Sequence, residues 1–130
     1  MQRPVRFILI DDEVYSNKIG RAFIKKVYPE AEIKDFLSPL QALLYIDKEY
    51  KDSFVPTAIL LDINMPELNG WQLLEKLQQM PLRVKECISV FMLSSSIDPG
   101  DKQRAKEHPL ISDYIEKPLS RDILKRMFEE

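Results

Sequence analysis

This chain is poor in the features that mark several protein classes. Cysteine occurs once, at Cys87, so no intrachain disulfide can brace the fold. Its apolar neighbours make that thiol a core side chain rather than a reactive one. Glycine occurs three times in 130 residues. No Gly/Ser linker, internal repeat or low-complexity tract divides the chain, so one domain over residues 1–130 is expected. An excess of one charge is missing too. Nineteen basic residues face 21 acidic ones, a net charge of −2, which gives no general attraction to nucleic acid or an anionic membrane. No apolar run approaches a membrane span. The start, Met1-Gln2-Arg3-Pro4, has no signal-peptide core behind it. A cytoplasmic protein is the expectation.

Hydrophobic residues make up 45% of the chain and charged residues 31%, an ordinary globular balance. A chain of this size buries roughly two thirds of its unfolded surface on folding. Its apolar pattern alternates between strand and helix periods. Strands are predicted at Arg6 to Ile10, Ala31 to Phe36, Thr57 to Asp62, Cys87 to Leu93 and Asp113 to Glu116. Between them lie predicted helices. Val14 to Val27 places Ile19, Phe23, Ile24 and Val27 on one face, and Pro29 stops it. Ser38-Pro39 is an N-cap with proline at N1, opening a helix through Leu40, Leu43, Leu44 and Ile46. Asn69-Gly70 precedes a helix with Leu73, Leu74 and Leu77 on one side. Asp98-Pro99 caps a short, charged helix near 99–107, and the last helix covers 119–129.

Five strands alternating with five helices predict an α/β fold, a parallel sheet with helices on both faces. The runs at 7–10, 58–61 and 88–93 are continuously apolar, as central parallel strands must be. Ligands of such sheets bind beyond the carboxyl ends of the strands. The chain places Asp11, Asp12, Asp62 and Ser94 at those ends, with Lys117 just after the fifth strand. Clustered carboxylates repel unless a cation or protons neutralise them. Hard oxygen ligands suit Mg²⁺, which uses only one or two carboxylates and keeps several waters. Asp62 is a candidate third ligand or a nucleophile able to form an aspartyl phosphate. Mg²⁺ and the Lys117 ammonium would neutralise charge, and the Ser94 hydroxyl would donate to a phosphoryl oxygen. Each residue alone has an ordinary reading as turn former, cap or solvated surface. Their joint occurrence at successive strand ends favours the functional one.

The chain resembles a response-regulator receiver domain of two-component signalling, similar to single-domain chemotaxis regulators. The resemblance rests on Ile8-Leu9-Ile10-Asp11-Asp12-Glu13, on Leu60-Leu61-Asp62-Ile63-Asn64-Met65-Pro66 with Asn69-Gly70, on Phe91-Met92-Leu93-Ser94, and on Tyr114-Ile115-Glu116-Lys117-Pro118. It implies a flavodoxin-like sheet of order 2-1-3-4-5, a topology that general accounts of the fold illustrate with a member of this family. It implies Asp62 as phosphoacceptor and Asp12 as direct metal ligand, with Asp11 acting through water. The backbone carbonyl of Asn64 matches a further Mg²⁺ ligand. Ser94 and Tyr114 match the switch pair. Lys117 matches the family's lysine, followed by a cis peptide to Pro118. Catalysis is expected to be limited to the chain's own phosphorylation and dephosphorylation.

The implied phosphodonor is a histidine kinase or histidine phosphotransfer protein. The implied output is a downstream protein docking on the helix near 99–107, the fifth strand and the last helix. The resemblance also implies that Asn64 and Ser96 occupy positions that tune water access to the phosphoryl group. Where many relatives have a Gly-Ala pair before the fifth strand, this chain has Glu107-His108-Pro109-Leu110-Ile111-Ser112. The sole histidine, His108, reads as a loop residue, and Trp71 as packing at the third helix's start.

With no residues left for an output domain, a stand-alone receiver is the expectation. The rival is a receiver-like interaction module that is never phosphorylated, and the complete set of acids, serine and lysine argues against it. A phosphatase of the haloacid-dehalogenase type would want a second aspartate at position 64, which is Asn. A flavin binder would want a phosphate loop after the first strand, where this chain has acids.

Overall fold

The computed structural model describes residues 3–95 and 98–128. Five strands form one parallel sheet: β1 (Arg6–Ile10), β2 (Glu32–Phe36), β3 (Thr57–Asp62), β4 (Ile88–Ser94) and β5 (Ile111–Glu116). Their order is β2-β1-β3-β4-β5, as expected. Between them run α1 (Val14–Val27), α2 (Pro39–Glu49), α3 (Gly70–Gln78), α4 (Leu82–Cys87), α5 (Pro99–Glu107) and α6 (Arg121–Met127).

The three central strands are apolar throughout because both of their faces are covered. Ile8, Ile10, Ile59, Leu61, Val90 and Met92 face one core with Ala42, Ile46, Leu73, Leu74 and Leu77. Phe7, Leu9, Ala58, Leu60, Phe91 and Leu93 face the other with Ile24, Tyr28 and Leu124. Alternation sends successive residues to opposite cores. Full burial of each such side chain is worth about 1.5–3 kcal/mol. Once these cores hold the strands in register, the strand-end residues share one edge.

The helix starts follow local chemistry. The Ser38 hydroxyl accepts from the Gln41 amide at 3.3 Å, capping α2. Asn69 and Gln72 form a reciprocal capping box at α3, with both bonds at 2.9 Å. Asp98 accepts from the Gly100 amide at 2.9 Å, capping α5.

Several expectations need correction. The described residues carry six helices, not five. The extra one, α4, has six residues and buries only Val84, so it leaves no periodic apolar signal. Cys87 therefore ends a helix rather than opening β4. It is half-buried, and its thiol donates to the Val84 carbonyl at 3.1 Å. β2 begins one residue later than predicted and β5 two residues earlier. The last helix starts at Arg121; position 129 and the water-access residue Ser96 lie outside the described residues.

Not every predicted apolar face is buried. Ile19 is 43% exposed, Leu40 46% and Leu44 70%. In α1 the inward positions are Asn17, Gly20 and Ile24. A Cβ on Gly20 would lie 3.3 Å from Leu9 Cδ1, so the missing side chain lets α1 lie close to β1. In α2 the fully buried side chains Ala42 and Ile46 hold the helix to the sheet.

Candidate functional site

β1 and β3 are paired in register, Ile10 beside Leu61, so Asp11 and Asp62 leave the sheet side by side. Both are buried, at 6% and 7% exposure, whereas Asp12 is exposed. One carboxylate oxygen from each of Asp11, Asp12 and Asp62 lies within 4.8 Å of the others. Asp11 is fixed from several sides. Its Oδ1 accepts from the Glu13 amide at 2.9 Å, and its carbonyl accepts from Asn17 Nδ2 at 3.1 Å. Asn17 Nδ2 also reaches the Phe36 carbonyl at 3.3 Å, tying β1, β2 and α1 together.

Lys117 is drawn back to this edge by β5. Its amide donates to the Ser94 carbonyl at 2.8 Å, and the Lys117–Pro118 peptide is cis. Its Nζ lies 2.5 Å from Asp11 Oδ2, 3.3 Å from Ser16 Oγ and 3.5 Å from Asp62 Oδ1. Asp11 therefore holds the ammonium more closely than Asp62 does. Burial pushes the Asp62 carboxyl up to about 6, the Asp11 charge adds to this, and the Lys117 ammonium only partly opposes it. Burial draws Lys117 down, but its hydrogen bond to Asp11 and the charges of Asp11 and Asp62 leave it raised. Asp62 is thus an under-neutralised carboxylate whose environment favours added positive charge.

The backbone around Asp62 is held just as closely. The Gly70 amide donates to the Ile63 carbonyl at 2.8 Å. A Cβ on Gly70 would stand 2.6 Å from the Asp62 carbonyl oxygen and 2.9 Å from Ile63 Cα. Only glycine lets α3 start this close to the strand end. In the intervening loop, Glu67 has φ of 68°, a left-handed conformation costly for a side chain with a Cβ.

The remaining predicted residues lie on neighbouring elements. Asn64 is exposed in the loop after β3. Ser94 is fully buried at the end of β4 and pairs in register with Glu116. Tyr114 is half-buried on β5 opposite Met92 and packs against the core shared with α2, α3 and α5. Trp71 is 7% exposed, with the Arg104 guanidinium 4.3 Å from its ring centroid. His108 caps α5; its Nδ1 accepts from the Leu110 amide at 3.2 Å, and its Nε2 lies 3.5 Å from Glu75 Oε1. Two residues were missed from sequence. Asn17 had a weak signal, as an amide on the inner face of an amphipathic helix. Ser16, a single serine on a helix, had none.

The donor set fits a hard divalent cation: three carboxylates in reach of one another with one ammonium among them. A sequence model of the response regulator receiver domain matches residues 7–129. The chain belongs to that family. Receiver domains accept phosphoryl groups in two-component signalling, generally bind Mg²⁺ at an acidic pocket, and interact with histidine kinases and phosphotransfer proteins.

Among solved structures, this receiver is similar to a two component response regulator from Cytophaga hutchinsonii, with TM-score 0.88 and 29% identity, covering 98% of this chain and 96% of that one. A response regulator receiver protein from Dyadobacter fermentans gives TM-score 0.82 at 30% identity, covering 96% and 98%. Among curated proteins, it is 26% identical over 115 residues to the cyclic di-GMP phosphodiesterase response regulator RpfG of Xanthomonas campestris pv. campestris. That match covers 88% of this chain and 28% of that protein, so the receiver spans under a third of its length. Among the described residues no helix is long and apolar enough to cross a membrane.

Proposed function

We propose that this receiver takes a phosphoryl group on Asp62 from a phosphohistidine, in an Mg²⁺-dependent step, and that phosphorylation changes which protein it binds. The supporting observation is the under-neutralised Asp62 carboxylate at the end of β3, beside Asp11, Asp12 and Lys117. An Asp62 oxygen attacks phosphorus, the N–P bond breaks, and the imidazole leaves with the electron pair. Positioning and charge neutralisation supply most of the acceleration. Asp12, with Asp11 through water, Asp62 and the Asn64 carbonyl, would hold Mg²⁺. When bound, Mg²⁺ supplies positive charge against the phosphoryl oxygens. Lys117 contributes its ammonium, shared between Asp11 and the incoming group.

A cytoplasmic switch in partner binding is part of the same reading. The downstream partner docks on α5, β5 and α6. A phosphoryl group adds charge and three acceptor oxygens at the sheet edge. Ser94 moves to donate to it, and Tyr114 turns into the space vacated beside β4. Phosphorylation selects this form according to its differential affinity, so a minor population exists without it.

Acetyl phosphate with Mg²⁺ is expected to add one phosphoryl group, read by intact mass, and a wild-type chain that stays unlabelled refutes the proposal. A beryllofluoride complex is expected to show Ser94 drawn to Asp62 and Tyr114 turned inward. Unchanged positions of both residues would assign the signal to another route.

A further inference from the structure

The Lys117 ammonium carries three N–H donors and no acceptor. Three oxygens face it: Asp11 Oδ2 at 2.5 Å, Ser16 Oγ at 3.3 Å and Asp62 Oδ1 at 3.5 Å. They come from different elements, the residue after β1, the first turn of α1 and the end of β3. Asp11 and Asp62 carry charge that the proposed reaction uses. Ser16 carries none, and no role has yet been given to it.

The ordinary role of such a serine is local. A hydroxyl inside a helix commonly returns to the carbonyl four residues back. Among the described residues, the Ser16 hydroxyl instead has Lys117 as its partner.

α1 is pinned at this point. The next residue, Asn17, is buried, and its Nδ2 donates to the Asp11 and Phe36 carbonyls at 3.1 and 3.3 Å. One turn beyond Ser16, Gly20 lets the helix lie against Leu9. The Ser16 oxygen is therefore a fixed point. The Lys117 ammonium, in contrast, sits on a flexible four-carbon stem.

The bond to Ser16 decides where that ammonium points. Held by Asp11 alone, it can turn about a single contact. Held by Asp11 and Ser16 together, two N–H directions are set and the third is left for Asp62. A phosphoryl group on Asp62 brings new acceptor oxygens to that place. A donor already aimed where charge develops needs no reorganisation during the reaction.

We propose that Ser16 is a positioning residue for phosphoryl transfer: its hydroxyl fixes the Lys117 ammonium so that one N–H stays aimed at Asp62 and the phosphoryl oxygens arriving there. This rests on Asp62 being the phosphoacceptor. Ser16 acts through Lys117.

The initial rate of labelling of the full chain by acetyl phosphate with Mg²⁺, read by intact mass, tests this. An Asp62 oxygen bonds phosphorus, the P–O bond to the acetyl group breaks, and acetate leaves with the electron pair. Ser16→Ala is expected to slow labelling roughly tenfold, the worth of one hydrogen bond to a charged group. Threonine and valine share a shape and differ in the hydroxyl. Ser16→Thr is therefore expected to label like wild type, and Ser16→Val like Ser16→Ala; circular dichroism checks that all three fold. Lys117→Ala is expected to label slowly, and adding Ser16→Ala to it is expected to cost nothing more. A wild-type chain that stays unlabelled removes the phosphoacceptor reading and this proposal with it. A labelled wild type matched in rate by Ser16→Ala overturns this proposal alone. So does an equal loss in Ser16→Thr and Ser16→Val, which would assign the effect to packing on α1. A further loss of similar size in the Lys117→Ala chain would likewise overturn it, because the hydroxyl would then act without Lys117.

Discussion

At the carboxyl end of the sheet Lys117 stands among Asp11, Asp62 and Ser16. At the amino end Arg6 stands among Glu32, Tyr45 and Tyr50. Arg6 Nε lies 2.9 Å from Glu32 Oε1, and one terminal nitrogen donates to the Tyr50 hydroxyl at 3.2 Å. The Tyr50 hydroxyl in turn bonds Thr57, whose hydroxyl donates to the Val55 carbonyl at 2.9 Å. The guanidinium also lies over the rings of Tyr45 and Tyr50, 5.8 and 5.5 Å from their centroids. Burial lowers the Arg6 pKa, but the Tyr50 hydrogen bond, the two tyrosines and Glu32 leave it raised.

Each cluster is built around one half-buried cation, yet they differ in balance. At the amino end one cation meets one carboxylate and neutral partners, and the network closes β1, β2, α2 and β3 together. At the carboxyl end three carboxylates cluster, and the one ammonium pairs with two of them, Asp11 and Asp62. The closed network balances its charge within the fold, whereas the open one leaves the Asp62 carboxylate under-neutralised. Cavity size does not distinguish a reactive end. A pocket of about 530 Å³ lies near the amino end, lined by Pro4, Phe54, Arg83 and Cys87 among others, whereas the one touching Asp11, Asp62 and Lys117 is about 120 Å³. Charge arrangement marks the site.

The largest expected effect separates the two ends by activity. Asp62→Asn is expected to lose acetyl phosphate labelling entirely, because an amide is not a comparable nucleophile. Arg6→Ala is expected to keep it. Full labelling of Asp62→Asn, by intact mass, would break the comparison at its centre.

Stability should show the reverse dependence. Arg6→Ala is expected to cost about 3 kcal/mol, through lost packing on two rings and a lost hydrogen bond to Tyr50. Urea unfolding followed by Trp71 fluorescence measures this. A cost under about 0.5 kcal/mol, the usual range for a surface change, would show that the network is not structural.

Asp62→Asn acts the other way when metal is chelated. Its carboxyl is held near 6 in the folded chain against an ordinary 3.8. The folded state then binds the proton more tightly than the unfolded state. The associated stability is present below about pH 4 and is lost as pH rises through about 6. Above pH 7 the charged carboxylate destabilises the fold, so Asp62→Asn is expected to gain about 2 kcal/mol there. The gain should shrink toward pH 4. A gain independent of pH, in urea titrations with chelator, would assign it to something other than this charge.

The smallest effect sharpens the same contrast. Mg²⁺ is expected to stabilise the fold by mass action, by about 1–2 kcal/mol at modest excess over its dissociation constant, and so to raise the melting temperature. Asp12→Ala is expected to reduce the response, while Arg6→Ala leaves it unchanged. Equal Mg²⁺ responses in wild type and Asp12→Ala would remove Asp12 from the metal site.

Much of this architecture was legible before any coordinates. Ile8, Leu9 and Ile10 read as a strand buried on both faces because no polar residue interrupts them, and the structure covers both faces. Asp11, Asp12, Asp62 and Lys117 followed as a group because strand ends are local features and a parallel sheet aligns them. The caps Ser38 and Asp98 were equally readable, since a cap depends on residues a few positions apart. The short α4 was not, because one buried residue makes no period.

Sequence by itself determined the five strands, the α/β class and the acids assembled at the carboxyl edge. Those follow from spacing and composition along the chain. Tertiary structure alone decided which leucines of α2 stay outside, which acid holds Lys117 more closely, and why position 70 must lack a side chain. It also decided that Arg6, an unremarkable residue opening β1, anchors the opposite end of the sheet. Each of these depends on distances between segments far apart in sequence. Such distances arise only when two cores set how near the helices lie to the sheet.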